Sequence, residues 1–187
     1  MKYLYRPALW GFHCLSVLLA LASFPARADD YADVAQLVQA RKLTQALAQA
    51  EQFLSLHPTD PQMRFIKAGI LADSGNTSAA IASYVSLTQD YPELPEPYNN
   101  LAVLYAAQNN LDMARGALEM AVHTNPGYAT AQENLGDVYA KLASLAYGKA
   151  LQLDASKKRV LEPKLNLLRQ ALSTGPSPPP NSSPSKP

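Results

Sequence analysis

Cysteine occurs once in this chain, at Cys14, tryptophan once, and histidine three times, at His13, His57 and His123. A single thiol excludes an intrachain disulfide framework, and so few thiols and imidazoles leave little from which to build a Cys/His metal centre. There is no HExxH, no Gly-rich phosphate loop and no serine in a nucleophile-elbow setting. These absences predict a protein that is not an enzyme and that holds no cofactor and no metal. An excess of one charge is also missing. The 16 basic and 15 acidic side chains give a formal net charge of +1, which argues against DNA or RNA as a partner. A long hydrophobic run is lacking too: the apolar stretch "CLSVLLALASF" is short of the roughly 20 residues that a spanning helix needs. Yet 48% of the 187 residues are hydrophobic and only 17% charged, enough apolar material for the core of one domain.

The two ends read as something other than fold. "MKYLYRPALWGFH" carries Lys2 and Arg6 and no acid, the short apolar run follows, and Ala26 and Ala28 close it in an A-x-A arrangement. That is the order of a secretory signal peptide, with cleavage expected after Ala28 and Asp29 as the first mature residue. Cys14 would leave with it. The mature chain would then have no cysteine and a charge of 13 basic minus 15 acidic, or −2. A short signal and a cysteine-free product favour export across an inner membrane, most simply to a bacterial periplasm. Residues 173–187, "STGPSPPPNSSPSKP", hold six prolines and five serines, a composition that cannot bury apolar surface and that predicts a disordered tail.

Between these ends the chain repeats itself. Pro58, Pro92 and Pro126 are spaced by 34 residues, as are Ala46, Ala80 and Ala114, Leu71, Tyr105 and Tyr139, and Asn100 and Asn134. Within each interval the apolar residues follow a helical period, as in Leu101, Leu104 and Tyr105, then Ala114, Leu118 and Ala121. Turn formers interrupt it once per interval, at "DSGN" (73–76) and "QNN" (108–110). Each unit is therefore predicted to be a pair of antiparallel helices. The alanine column lets the two helices approach closely. The proline column ends the second helix, because proline lacks the N–H and disfavours helix in the residue before it. Pro61 and Pro95 open the next helix in its first turn, where proline is tolerated.

Tyr98, Leu101, Ala102, Tyr105, Ala114, Leu118, Ala121 and Pro126 together resemble the tetratricopeptide repeat, a 34-residue helix–turn–helix. The resemblance spans about residues 31–155. It implies an all-α, right-handed solenoid of about three repeats, 29–58, 61–92 and 95–126, with a fourth unit at 129–155 and a capping helix at 157–172. Unit 2 opens irregularly, with Arg64 and Lys67 where an aromatic and a leucine are usual. In unit 4 the second-helix signature "AYGKALQLD" comes about five residues early, and no turn former lies in "AKLASLA". Ala129 to Leu153 is accordingly expected to be one helix, at about 1.5 Å per residue roughly 38 Å long. In the last helix Leu161, Leu165, Leu168 and Leu172 share one side, and Pro163 is expected to kink it or to mark its start.

Such a solenoid leaves a concave surface lined by its first helices. By register the groove residues are Phe65, Ile66 and Gly69, then Glu96, Asn99, Asn100 and Val103, then Thr130, Glu133, Asn134, Asp137 and Lys141. Asn100 and Asn134 hold the position at which the family's asparagines often bond the backbone of a bound peptide; an amide both donates and accepts. Some family members grip a C-terminal carboxylate with Lys and Arg. Phe65, Asn99 and Glu133 occupy one such column here, which argues against that clamp. From Asp73 to Ala140 there are eight acids and one base, Arg115; from Lys141 onward there are eight bases and two acids. The expected partner is a protein or peptide that is basic or neutral. Membrane contact is expected only through an uncleaved signal or weakly through Lys157–Arg159. A second reading stays open: a structural subunit of an envelope assembly that uses its outer helix faces.

Overall fold

The computed structural model describes residues 27–173; the predicted signal up to residue 26 and the predicted tail from residue 174 lie outside the described residues. Eight α-helices follow one another there: α1 Arg27–Gln39, α2 Leu43–Leu56, α3 Pro61–Asp73, α4 Thr77–Asp90, α5 Pro95–Ala107, α6 Leu111–Thr124, α7 Ala129–Leu153 and α8 Lys158–Ser173. A 3-10 turn, Ala155–Lys157, joins the last two. Each helix packs on the next in sequence, and α1 also touches α3, as α5 touches α7. The odd-numbered helices therefore form the inner layer of an all-α solenoid and the even-numbered ones the outer layer. Among the described residues, no helix is long and apolar enough to cross a membrane.

The repeat is visible in the backbone atom by atom. Arg41, Gly75 and Asn109 are all left-handed, with φ of 58°, 77° and 60°. In each turn two bonds close the helix end: Lys42 to Leu37, Asn76 to Leu71 and Asn110 to Tyr105 at 2.9 Å, and Arg41 to Val38, Gly75 to Ala72 and Asn109 to Ala106 at 3.0 Å. This is the Schellman arrangement, which satisfies carbonyls that the helix end leaves over. Arg41 adopts the left-handed conformation at a cost of roughly 1–2 kcal/mol for a side chain with a Cβ. Arg41→Gly should therefore raise stability by about 0.5–1 kcal/mol once glycine's greater freedom when unfolded is subtracted. A rise in the urea midpoint checks this, and an unchanged midpoint would show that Arg41 gains something else there.

The turns between units are equally regular. Asp60, Leu94 and Tyr128 donate to the carbonyls of His57, Tyr91 and Asn125, each at 3.1 Å. Asp60 also caps α3 by accepting from Met63 N at 2.8 Å, with Pro61 in the first turn. The next such bond runs from Lys157 to Asp154 at 3.2 Å, after an interval of 29 residues instead of 34. Five residues are thus missing from unit 4, and the place of the missing residues is the turn. The left-handed column would next fall on Ala143, which is helical. The unbroken α7, with the bounds expected from the sequence, is the result. Pro163 lies inside α8, so the helix starts five residues before it and runs through it. The carbonyl of Arg159 consequently lacks its usual donor.

Packing follows the columns. Ala46, Ala80 and Ala114 are fully buried, and so are Val34, Ala68 and Ala102 on the facing first helices. The fourth member of that second column, Gly136, is exposed, and a Cβ there would meet nothing within 4 Å. Tyr139, one turn on, is 47% exposed and bonds outward to Glu119 at 2.9 Å. With the turn deleted, no second helix folds back over the first half of α7. The far half of α7 packs instead on α8, which buries Leu161 and Leu165 and half-buries Leu168 and Leu172. The two irregular residues of unit 2 form ion pairs with the outer layer: Arg64 to Asp90 at 2.6 Å and Lys67 to Glu51 at 2.9 Å. Arg64 also lies over the Tyr91 ring, and its hydrogen bond holds the exposed Asp90 carboxyl below the usual carboxylate range.

Candidate functional site

The expected groove residues lie on α3, α5 and α7, and hydrogen bonds link three of them. Asn134 Nδ2 on α7 donates to Asn99 Oδ1 on α5 at 2.8 Å. Asn99 Nδ2 donates to Asn100 Oδ1 at 3.2 Å, and Asn100 Nδ2 donates to the Tyr84 hydroxyl on α4 at 3.1 Å. Three amides and a phenol therefore form one line across three helices. In a partly dry environment such a chain of bonds polarises its members and fixes their orientation.

This line corrects one expectation. Asn99 does not face the groove; it is 0% exposed. A ligand cannot reach it, and its amide is satisfied on both sides by the two asparagines that do reach the surface. The reason is the helical period: at α5 the direction of Asn99 points toward α7, whereas Asn100 turns toward α4. Tyr84 is a functional-site residue that the sequence did not single out, and its hydroxyl closes the line. A signal existed. Asn99 and Asn134 are 35 residues apart, one repeat plus one residue, so adjacent inner helices bring them side by side.

The remaining residues fall as follows. Phe65 is half-buried, with its ring edge-on to Tyr84 at 5.6 Å between centroids, so it forms the floor. Ile66, Gly69, Glu96, Val103, Thr130, Asn134 and Asp137 are half-buried, while Glu133 and Lys141 are exposed. Burial first and the Glu96 carboxylate second push the Tyr128 hydroxyl above its ordinary pKa, which places that carboxylate close to α7's first turn. Burial pushes the Tyr84 hydroxyl up to about 12, against the pull of the Asn100 hydrogen bond. The site therefore presents two neutral amides, Asn100 and Asn134, backed by the buried Asn99 and the buried phenol of Tyr84, with carboxylates nearby. It holds hydrogen-bond donors and acceptors in fixed places, which is chemistry for recognition.

The inner layer, its amide line and the repeating turns define a helical-hairpin solenoid. Two models of the tetratricopeptide repeat match the chain, at residues 36–95 and 71–142. The chain belongs to the tetratricopeptide repeat proteins, a family whose fold typically serves protein–protein interaction and peptide binding. Among curated proteins, it is 39% identical over 85 residues to the chloroplastic tetratricopeptide repeat domain-containing protein PYG7 of Arabidopsis thaliana, covering 43% of this chain and 28% of that one. It is 32% identical over 114 residues to the probable biofilm formation methyltransferase WspC of Pseudomonas putida, covering 56% of this chain and 27% of that one. The chain thus spans little more than a quarter of either relative.

Solved structures show the same fold. TTC0263, a thermophilic TPR protein of Thermus thermophilus, superposes with a TM-score of 0.58 at 23% identity over 79% of this chain and 83% of that one. YrrB, described as a TPR protein with an unusual peptide-binding site, gives 0.52 at 24% over 56% and 54%. At these identities the likeness is one of fold alone.

Proposed function

We propose that the protein is a non-enzymatic interaction module of the bacterial cell envelope that holds a basic or neutral peptide or protein segment in its inner groove. The observation that carries this reading is the amide line. Asn100 and Asn134 reach the inner surface with their orientation fixed by the buried Asn99 between them. Each retains donor or acceptor capacity beyond the bonds it makes, since a side-chain amide has two N–H groups and an oxygen with two lone pairs. Fixed amides lose little entropy on binding, which favours an extended backbone as ligand. Glu96 and Asp137 beside them make no ion pair among the described residues and favour a positive partner. The relatives' names agree at the level of fold only.

Capture from envelope extract tests the reading. Asn100→Ala with Asn134→Ala should weaken partner capture at least tenfold, the scale of about 1.4 kcal/mol for lost hydrogen bonds. Asn99→Ala is the control, because it loosens the line from inside and leaves both surface amides in place. Equal capture by all three proteins would overturn the groove reading. A photoreactive residue at Val103 should crosslink the same partner.

A second reading has its own support. Met113 and Met120 are exposed on α6, one above the other on the outer layer, beside the Tyr139–Glu119 bond. Under this reading the protein is a structural subunit gripped from outside. Partners kept by the asparagine variants and lost with Met113→Lys and Met120→Lys would favour it. For the envelope location, the first 28 residues supply the argument. A periplasmic fraction containing a product that begins at Asp29 is expected; a chain that keeps Met1 and stays in the cytosol would reject it.

A further inference from the structure

We infer that one partner of the groove is a second copy of this chain, whose basic terminal hairpin docks head-to-tail on the acidic inner face. This rests on the groove reading above and names an occupant for it.

Charge along the chain is segregated in space. Residues 73–140, which contain the α5 and α7 faces of the groove, hold eight acids and one base. That base, Arg115, lies on the outer helix α6 and is engaged by Asp112 at 3.5 Å and Glu119 at 3.7 Å. Glu96 and Asp137 on the inner helices have no basic partner among the described residues. The terminal hairpin, residues 141–173, holds seven bases and two acids. The two acids, Asp154 and Glu162, pair with Lys157 at 3.8 Å and Lys158 at 3.9 Å. Lys149 and Arg159 pair with no carboxylate among the described residues. One molecule thus carries unpaired acids on its inner face and unpaired bases on its terminal hairpin, and the fold does not bring the two sets together within a copy.

The hairpin's outer face, polar as an end repeat needs it to be, is interrupted by large exposed apolar side chains. Leu153 is 76% exposed and Leu167 68%, with Leu145 and Val160 more than half exposed. On α8 the buried side is used by Leu161 and Leu165, so Val160 and Leu167 form a second apolar stripe that none of the described residues covers. The opposite end of the solenoid shows one such residue among the described ones, Leu56. Unpaired Lys149, between exposed Leu145 and Leu153 on α7, and unpaired Arg159, next to exposed Val160 on α8, mix positive charge with apolar surface, which is what an acid-rimmed groove with Phe65 on its floor accepts. Groove and hairpin are different surfaces, so the contact is heterologous: it leaves a free groove at one end and a free hairpin at the other.

Sedimentation velocity of the purified full chain tests this. Association that rises with concentration is expected at about 50 mM salt, weakening at least tenfold in Kd at about 500 mM, because rim charges are screened. Glu96→Lys with Asp137→Lys should give monomers, and so should Lys149→Glu with Arg159→Glu. The two variants mixed should associate again, since each then meets a surface of opposite charge on the other. All four positions are at least partly exposed, and unchanged circular dichroism verifies the fold. Monomers at every concentration would overturn the inference. So would undiminished association of the groove variant, which would mean that hairpins pair with each other. Binding of wild type but not the hairpin variant to phosphatidylglycerol vesicles, without self-association, would reassign the hairpin to a lipid surface. If envelope partners depend on Asn100 and Asn134 while the chain stays monomeric, the groove reading survives and this inference fails.

Discussion

Ala102→Leu should lower stability by about 1–3 kcal/mol, and Gly136→Leu, at the same repeat position one unit later, should raise it by up to about 1 kcal/mol. Ala102 is fully buried on α5, in a cluster with Ala114, Leu118 and Ala121 of α6. Three added carbons there must push the helices apart or force side chains off their rotamers. Gly136 sits at the corresponding place on α7, but no second helix lies over it, and a Cβ would meet nothing within 4 Å. Leucine there relieves the helix of glycine's cost and meets no clash. The sign should therefore reverse within one column, a total difference of roughly 1–4 kcal/mol. Urea denaturation of the two variants beside wild type measures it. Comparable loss at both sites would mean that something covers the first half of α7 in solution, and that the missing turn does not leave that face open.

The period carried most of the architecture. Proline, alanine and aromatic columns set the number of hairpins, and the early "AYGKALQLD" located the fused helix, because both signals depend on residue types that local backbone geometry demands. Arg41 shows where that logic ends. The left-handed turn position accepts glycine and asparagine in units 2 and 3, as propensity suggests, yet unit 1 fills it with arginine. Two Schellman hydrogen bonds and the packing of α2 on α1 outweigh the local cost there, and neither can be read from one residue. The site was legible in outline only. Register placed Asn99, Asn100 and Asn134 on inner helices, but which way an amide points on a helix depends on about 100° of rotation per residue. One step separates the buried Asn99 from the half-exposed Asn100. Arg64 and Lys67 looked like departures from the repeat, and their partners Asp90 and Glu51 were invisible until the outer helices were in place.

Stability should also fall steeply in alkali, through Tyr84. Its hydroxyl is buried among Ala68, Leu87 and Leu101 with Phe65 edge-on, and burial raises its pKa to about 12 from an unfolded value near 10. The folded state thus favours the protonated phenol more than the unfolded state does. That contribution is fully present below pH 10, declines as pH rises and is lost above about 12. At about 1.4 kcal/mol per unit, the window holds roughly 2–3 kcal/mol. The same ionisation has a local consequence: the phenolate attracts Asn100 Nδ2 more strongly, but burial leaves its remaining lone pairs poorly solvated. Tyr84→Phe removes the titration. It also removes the acceptor that Asn100 uses, so its stability at pH 8 should drop by about 1 kcal/mol. Between pH 10 and 12 the variant should lose less than wild type, and the two curves should converge or cross. Urea midpoints across that range, read beside tyrosinate absorbance at 295 nm, decide the matter. A parallel decline of both proteins would show that Tyr84 ionises freely, and that the phenol at the end of the amide line is open to water.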